Sequence, residues 1–266
     1  MQVRSDDIQL YYETTGDGFP LVLLHPFPVH HGFWTPVAPQ LGTHYRLLLP
    51  DLRGHGKSEA GQGTATMARH ADDLLRLLDE EKIGRALFVG VSIGGYVLFE
   101  FWRRSRERVA ALVLSNTRAE ADTEQGQATR LRSIEDSRQR GAGQFFDEQT
   151  QKLIGETTRH NRPDLVAQAR AMMQIMTVDG LAAVQKGMAE RPDSVPILRG
   201  ISVPTLVIAG EEDVLTPLAN AQLMHSHIPG AKLVTIPRAG HYAALENPED
   251  YARVLRQFLD SLQFRD

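Results

Sequence analysis

Short apolar runs that end at Gly, Pro or Asp recur along this chain, and stretches with helical spacing separate most of them. LVLL, LLLP, LFVGV and TLVIAG are close to continuously apolar instead of alternating. That pattern belongs to strands covered by helices on both faces. Strands are expected at residues 8–13, 20–25, 45–50, 86–91, 109–115, 204–209 and 231–236. The first two have no helix between them and predict an antiparallel hairpin over the turn at Gly16–Gly18. Elsewhere strand and helix alternate, which predicts an α/β fold with a mainly parallel sheet.

Helix starts are marked by a capping side chain followed by proline: Thr35 before Pro36, Thr216 before Pro217, and Asn247 before Pro248. The last helix is the clearest, with Tyr251, Val254, Leu255, Phe258, Leu259 and Leu262 on one face. Between about residues 119 and 200 the alternation stops. No strand is expected there, only polar segments with helical spacing and one apolar stripe of Leu165, Val166, Ala169, Met172, Met173 and Met176. The economical organisation is a core of residues 1–118 and 201–266 with a helical lid, 119–200, inserted over one edge of the sheet.

With 42% hydrophobic residues a core is affordable, and disorder is excluded as the main state. At this length roughly 70–75% of the extended chain's surface can be buried without a disulfide or metal staple. A net charge of −4 leaves no footprint for nucleic acid or an anionic membrane. There is no cysteine, so disulfides, thiolate metal sites and a cysteine nucleophile are all excluded. The opening MQVRSDDIQLYYE lacks the apolar stretch of a signal peptide, and no apolar run approaches the ~20 residues of a membrane span. A cytoplasmic location is expected, without membrane or nucleic-acid partners.

The segment Ala86-Leu-Phe-Val-Gly-Val-Ser92-Ile-Gly-Gly95 reads as strand, G-x-S-x-G, then helix. Glycines two residues either side of a serine permit a very tight strand-to-helix turn. Such a turn lifts the hydroxyl beside a helix N-terminus, where backbone N–H groups are unpaired. A serine hydroxyl needs a base to become a nucleophile. Among the ten histidines, His241 follows Gly240 just past the last expected strand, at the carboxyl edge where open parallel sheets carry their sites. The orienting acid is expected after the preceding strand, where Glu211, Glu212 and Asp213 are candidates. Asp213 is preferred for its place just before Thr216 and Pro217. An oxyanion would take one N–H from Ile93 and a second from the loop His25-Pro26-Phe27-Pro28. Proline has no N–H, so the second donor is His25 or Phe27, and Phe27 is assigned.

With these residues in place, the chain resembles the α/β-hydrolase superfamily over nearly its whole length. The resemblance rests on HPFP at 25–28, DLRGHGKS at 51–58, GVSIGG at 90–95, GEEDVLTP at 210–217 and AGHYAALENPE at 239–249. The order Ser92, Asp213, His241 is that of the α/β-hydrolases. In relatives the second oxyanion donor follows a His-Gly pair; Pro26 replaces that glycine and the match falls on Phe27. The resemblance implies an eight-stranded sheet with a helical cap inserted before the strand bearing the acid. It is nearest to small bacterial esterases and lactonases, 3-oxoadipate enol-lactonase-like proteins among them, and implies cofactor-free hydrolysis of a small ester or lactone. Serine at 92 departs from the aspartate of dehalogenases and epoxide hydrolases. Val91 departs from the asparagine found in carbon–carbon hydrolases. Asn116 stands where some relatives keep an alternative acid. A low-turnover ligand sensor, or a perhydrolase or cofactor-free haloperoxidase, is the alternative reading of the same three residues.

Trp34, Met172, Met176 and Tyr242 are candidates to line the substrate pocket, beside Phe27 and Ile93; packing between lid and core is the other reading of the methionines. Arg118 is either a partner for a substrate carboxylate or a surface arginine. Residues 118–200 hold twelve acidic and twelve basic side chains, so no bulk attraction for a charged substrate is expected. His30 and His31 are adjacent, so their side chains are expected to point apart, with no carboxylate or third histidine accompanying them, and no metal is assigned.

Overall fold

Eight strands form one sheet in the order β1-β2-β4-β3-β5-β6-β7-β8 in the computed structural model, which describes residues 1–262. The strands are β1 (Gln2–Ser5), β2 (Ile8–Thr15), β3 (Phe19–Leu24), β4 (Tyr45–Pro50), β5 (Ala86–Val91), β6 (Val109–Ser115), β7 (Thr205–Gly210) and β8 (Lys232–Ile236). β1 and β2 pair antiparallel, as do β2 and β4; every other pairing is parallel. β5, β6 and β7 are buried at every residue, as their unbroken apolar runs require.

The expected hairpin between the first two strands is not formed. β4 lies between β2 and β3, so the turn at Gly16 and Gly18 begins a crossover past β4. The physical reason is in the two burial patterns. β2 alternates buried and partly exposed residues, which suits the rim, whereas Leu21–Leu24 of β3 is buried on both faces and needs two strand neighbours, β4 and β5. The true hairpin joins β2 to β1, a strand too short and polar to be expected from sequence.

Helices flank the sheet: α1 (Ala38–Leu41), α2 (Met67–Glu80) and α3 (Ile93–Ser105). Between β6 and β7 come α4 (Glu124–Arg140), α5 (Ala142–Leu153), α6 (Glu156–Asn161), α7 (Pro163–Met173) and α8 (Val178–Ala189), with no strand among them. The chain then forms α9 (Leu218–His227), α10 (Ala243–Glu246) and α11 (Pro248–Asp260). Asn247 caps α11 through the N–H of Asp250, and Pro248 takes the first turn, as read from the sequence. The other two expected starts are displaced. Thr35 closes a 3-10 turn at His31–Trp34, and α1 begins three residues later. Thr216 donates its hydroxyl to Asp213 instead of accepting a helix N–H, and α9 begins at Leu218.

Parallel register carries the strand ends to one edge. Leu24 lies beside Gly90, Val91 beside Ser115, Ser115 beside Ile208, and Gly210 beside Ile236. The loops after β3, β5, β6, β7 and β8 therefore emerge together. No helix among the described residues is long and apolar enough to cross a membrane.

Candidate active site

Ser92 occupies the one-residue turn between β5 and α3 with φ 54° and ψ −113°. A non-glycine residue there is strained by about 1–3 kcal/mol and persists only when its surroundings over-determine it. Here they do. The Ser92 N–H donates to the carbonyl of Ser115 at 3.1 Å, and its own carbonyl accepts from Gly95 N at 2.9 Å and Thr117 Oγ1 at 2.8 Å. The flanking glycines have no room for a side chain. A Cβ on Gly90 would sit 2.5 Å from the Gly94 backbone, and one on Gly94 would sit 2.7 Å from the Leu24 carbonyl.

The three acidic candidates after β7 separate by their partners. Glu211 accepts from Arg238 N, and Glu212 from Thr157. Asp213 faces His241, whose Nδ1 lies 2.9 Å from its Oδ2. Asp213 Oδ2 also accepts from Asn116 Nδ2 at 2.9 Å and Thr216 Oγ1 at 2.5 Å, while Oδ1 accepts from the N–H groups of Leu215 and Thr216. Burial alone would raise its pKa. The neighbouring His241, together with the hydrogen bonds from His241, Thr216 and Asn116, outweighs that and holds the carboxyl well below the usual range. Asp213 is therefore an anion aimed at one ring nitrogen, which leaves His241 Nε2 as the nitrogen available to a substrate.

Ser92 and His241 line the same cavity of about 130 Å³, with Phe27, Tyr96, Leu215 and Thr216 on the sheet side. Arg130 of α4, Gln149 and Leu153 of α5, and Gln185 and Met188 of α8 close the other side. No hydrogen bond joins Ser92 Oγ to His241 among the described residues; such contacts in unliganded sites commonly tighten only around substrate. Ile93 is the first residue of α3, and neither its N–H nor that of Phe27 has a protein acceptor among the described residues. Tyr242 donates its hydroxyl to the Phe27 carbonyl at 3.1 Å, tying the loop after β3 to the His241 loop.

Four expected pocket residues do not line this cavity. Trp34 and Tyr242 are fully buried, Trp34 between Phe33 and Tyr251, and Tyr242 against Phe33. Met172 and Met176 are buried with the α7 stripe, the packing alternative. Phe27 does line it, and the lid residues that line it come from α4, α5 and α8, whose facing sides sequence periodicity left unresolved.

Arg118 and Arg130 converge on Asp122, and so does Arg191 at 2.8 Å. Burial pushes the Asp122 carboxyl up, but Arg191 and Arg130 outweigh that and hold it at about 2. Three guanidiniums thus face two carboxylates, Asp122 and the nearby Glu120, and two of the three line the cavity. The Arg118 Nε–H is buried without a partner. Overall charge balance in residues 118–200 conceals this local positive excess.

His30 and His31 also need correction, because a carboxylate does accompany them. The ligand atoms of His30, His31 and Asp51 lie within 4.8 Å of one another. His31 bridges Asp51 at 2.7 Å and Glu13 at 3.1 Å, and these partners overcome burial and raise its pKa. His31 is thus held between two carboxylates, Asp51 and Glu13, with the ring of His30 beside it.

This fold and site define a recognisable class. The α/β hydrolase fold family model matches residues 20–248, and the chain belongs to that family. A thermophilic esterase from Thermogutta terrifontis, solved with malate bound, is 36% identical over 99% of this chain and all of its own, with a TM-score of 0.96. The enol-lactonase from Burkholderia xenovorans superposes with a TM-score of 0.92 at 26% identity, covering 98% of this chain and 100% of that one. A 3-oxoadipate enol-lactonase from Acinetobacter baylyi is 26% identical across 91% of this chain and 89% of its own. The chain is an α/β-hydrolase of the esterase and lactonase type.

Proposed function

We propose that this protein hydrolyses a small carboxylic ester or lactone through an acyl-enzyme on Ser92, with residues 119–200 acting as a cap over the site. The observation that carries the reading is the shared cavity: a serine strained onto a strand–helix turn and a histidine held by Asp213 open into the same space.

His241 Nε2 takes the Ser92 proton as Oγ bonds to the carbonyl carbon. Phe27 and Ile93 amides hold the oxyanion, and Asp213 stabilises the imidazolium. Collapse breaks the bond to the leaving oxygen, which receives the proton from His241. Water, deprotonated by His241, then attacks the acyl carbon, and the returning proton regenerates the Ser92 hydroxyl. No cofactor enters any step.

Within that class, Arg118 and Arg130 favour a substrate bearing a carboxylate, since a neutral ester leaves their positive excess unanswered. The test is turnover of activated aryl esters and of lactones in pairs with and without a carboxylate. Ser92→Ala should abolish both by ~10⁴-fold or more. Sustained turnover separates hydrolysis from the sensor reading, which gives one product equivalent and then stops. Peroxide-dependent halide oxidation would reveal haloperoxidase chemistry.

A further inference from the structure

Three backbones touch at three glycines behind His241. A Cβ on Gly210, the last residue of β7, would collide with the Gly240 carbonyl, and one on Gly240 would collide with Gly155 N. The end of β7, the His241 loop and the α5–α6 junction thus meet without room for a methyl group. Two carboxylates outside the cavity lining bind this stack. Glu246 Oε1 accepts from Gly240 N at 3.0 Å and Tyr242 N at 3.1 Å, the two residues flanking His241. Its Oε2 accepts from Gly155 N at 2.8 Å. Glu212, next to Asp213, accepts from Thr157 N at 2.8 Å and from the Thr157 hydroxyl, while its own N–H donates to Ala239 at 2.8 Å.

The arrangement is costly unless it positions something. Glu246 is only 9% exposed, and burial raises its carboxyl pKa even against these N–H donors, so the group is held there at a cost. Its three donors fix His241 on both sides and the α5–α6 junction at once. Leu153, the last residue of α5, lines the cavity and accepts from Tyr242 N through its carbonyl. Leu153 thus joins the cavity wall to the residue that follows His241.

We infer that Glu246 and Glu212 are positioning residues, a paired strap that aligns His241 and Asp213 only while residues 153–157 are seated against them. The inference rests on the serine-hydrolase reading above. Glu246→Gln turns an amide NH₂ toward one set of N–H donors and loosens the strap; Glu246→Ala removes its larger arm; Thr157→Ala, at a half-exposed position, removes the hydroxyl contact of the Glu212 arm and keeps the backbone one, with little risk to folding.

The experiment measures kcat and KM for p-nitrophenyl acetate, and the rate at which a fluorophosphonate labels Ser92, in wild type and these variants, per folded molecule. The expected result is a fall in kcat on the order of 10–100-fold for Glu246→Ala, smaller for Glu246→Gln and Thr157→Ala, with KM within about twofold and labelling slowed in parallel. Unchanged kcat and labelling in folded Glu246→Gln and Thr157→Ala would overturn the strap while leaving the serine nucleophile intact. A wild-type protein that fails to label at Ser92 would instead sink the hydrolase reading, and the strap with it.

Discussion

Asn116 Nδ2 donates to Asp213 Oδ2 at 2.9 Å, the same oxygen that faces His241 Nδ1 at 2.9 Å. Its second contact, to the Gly240 carbonyl at 3.2 Å, ties the end of β6 to the residue before His241. Asn116 holds φ 44°, a conformation asparagine tolerates better than most residues. The amide thus orients the acid from a position where a second carboxylate would repel it. Asn116→Ala leaves Asp213 one donor short and strains the backbone. The expected outcome is a loss of about 1–3 kcal/mol in urea unfolding. A fall in kcat of roughly tenfold should accompany it, each 1.4 kcal/mol of barrier being a factor of ten.

Asp213→Asn preserves shape but presents an amide to His241 and loses the charge that stabilises the imidazolium. By analogy with serine-protease triads, kcat should fall by about 10⁴ with KM little changed. Steady-state kinetics on an aryl ester read this directly, and a loss below tenfold would show that Asp213 does not orient the base.

Much of this site is legible in the chain because glycine and proline constrain backbone conformation. Gly90, Gly94 and Gly240 sit where a side chain collides with neighbouring backbone, and they point to Ser92 and His241 from sequence alone. Asp213 is harder to separate from Glu211 and Glu212, since three adjacent carboxylates differ only in where the loop aims them. The pocket is illegible for a different reason. Apolar periodicity marks the face of α7 that packs, which is why Met172 and Met176 stand out, whereas the cavity is lined by Arg130, Gln149, Gln185 and Met188 on faces without a clean stripe. Strand order fails similarly: nothing in residues 8–25 says that β4, from residues 45–50, will lie between β2 and β3.

Acid should destabilise this protein well above the carboxylate range. His25 and His55 are fully buried, and burial lowers their pKa values to about 3 and about 4. The unfolded chain binds their protons below 6.5 while the folded protein does not, so their contribution is full above 6.5 and is lost as pH falls toward those values. Between pH 6.5 and 5 each histidine should cost about 2 kcal/mol. Buried His70, also held below its ordinary pKa by burial, adds to the same slope. Urea unfolding at pH 7, 6 and 5 tests this, and His55→Phe should flatten the slope by roughly a third. A flat profile in wild type would contradict it.

Gly94→Ala should be disproportionately damaging for one methyl group. The added carbon would sit 2.7 Å from the Leu24 carbonyl and 2.9 Å from its Cβ, in the packed turn that holds Ser92. A loss of about 1–3 kcal/mol or more is expected, with reduced kcat in whatever remains folded. Gly143→Ala, which meets nothing within 4 Å, serves as the control and should be silent.

Covalent capture tests the central claim most directly. Wild type, Ser92→Ala and His241→Ala are incubated with an aryl fluorophosphonate, followed by intact-mass and peptide mass spectrometry. The account predicts a single adduct on the peptide containing Ser92 in wild type, none in Ser92→Ala, and strongly slowed labelling in His241→Ala. Labelling that persists in folded Ser92→Ala, or proceeds at the wild-type rate without His241, would contradict it.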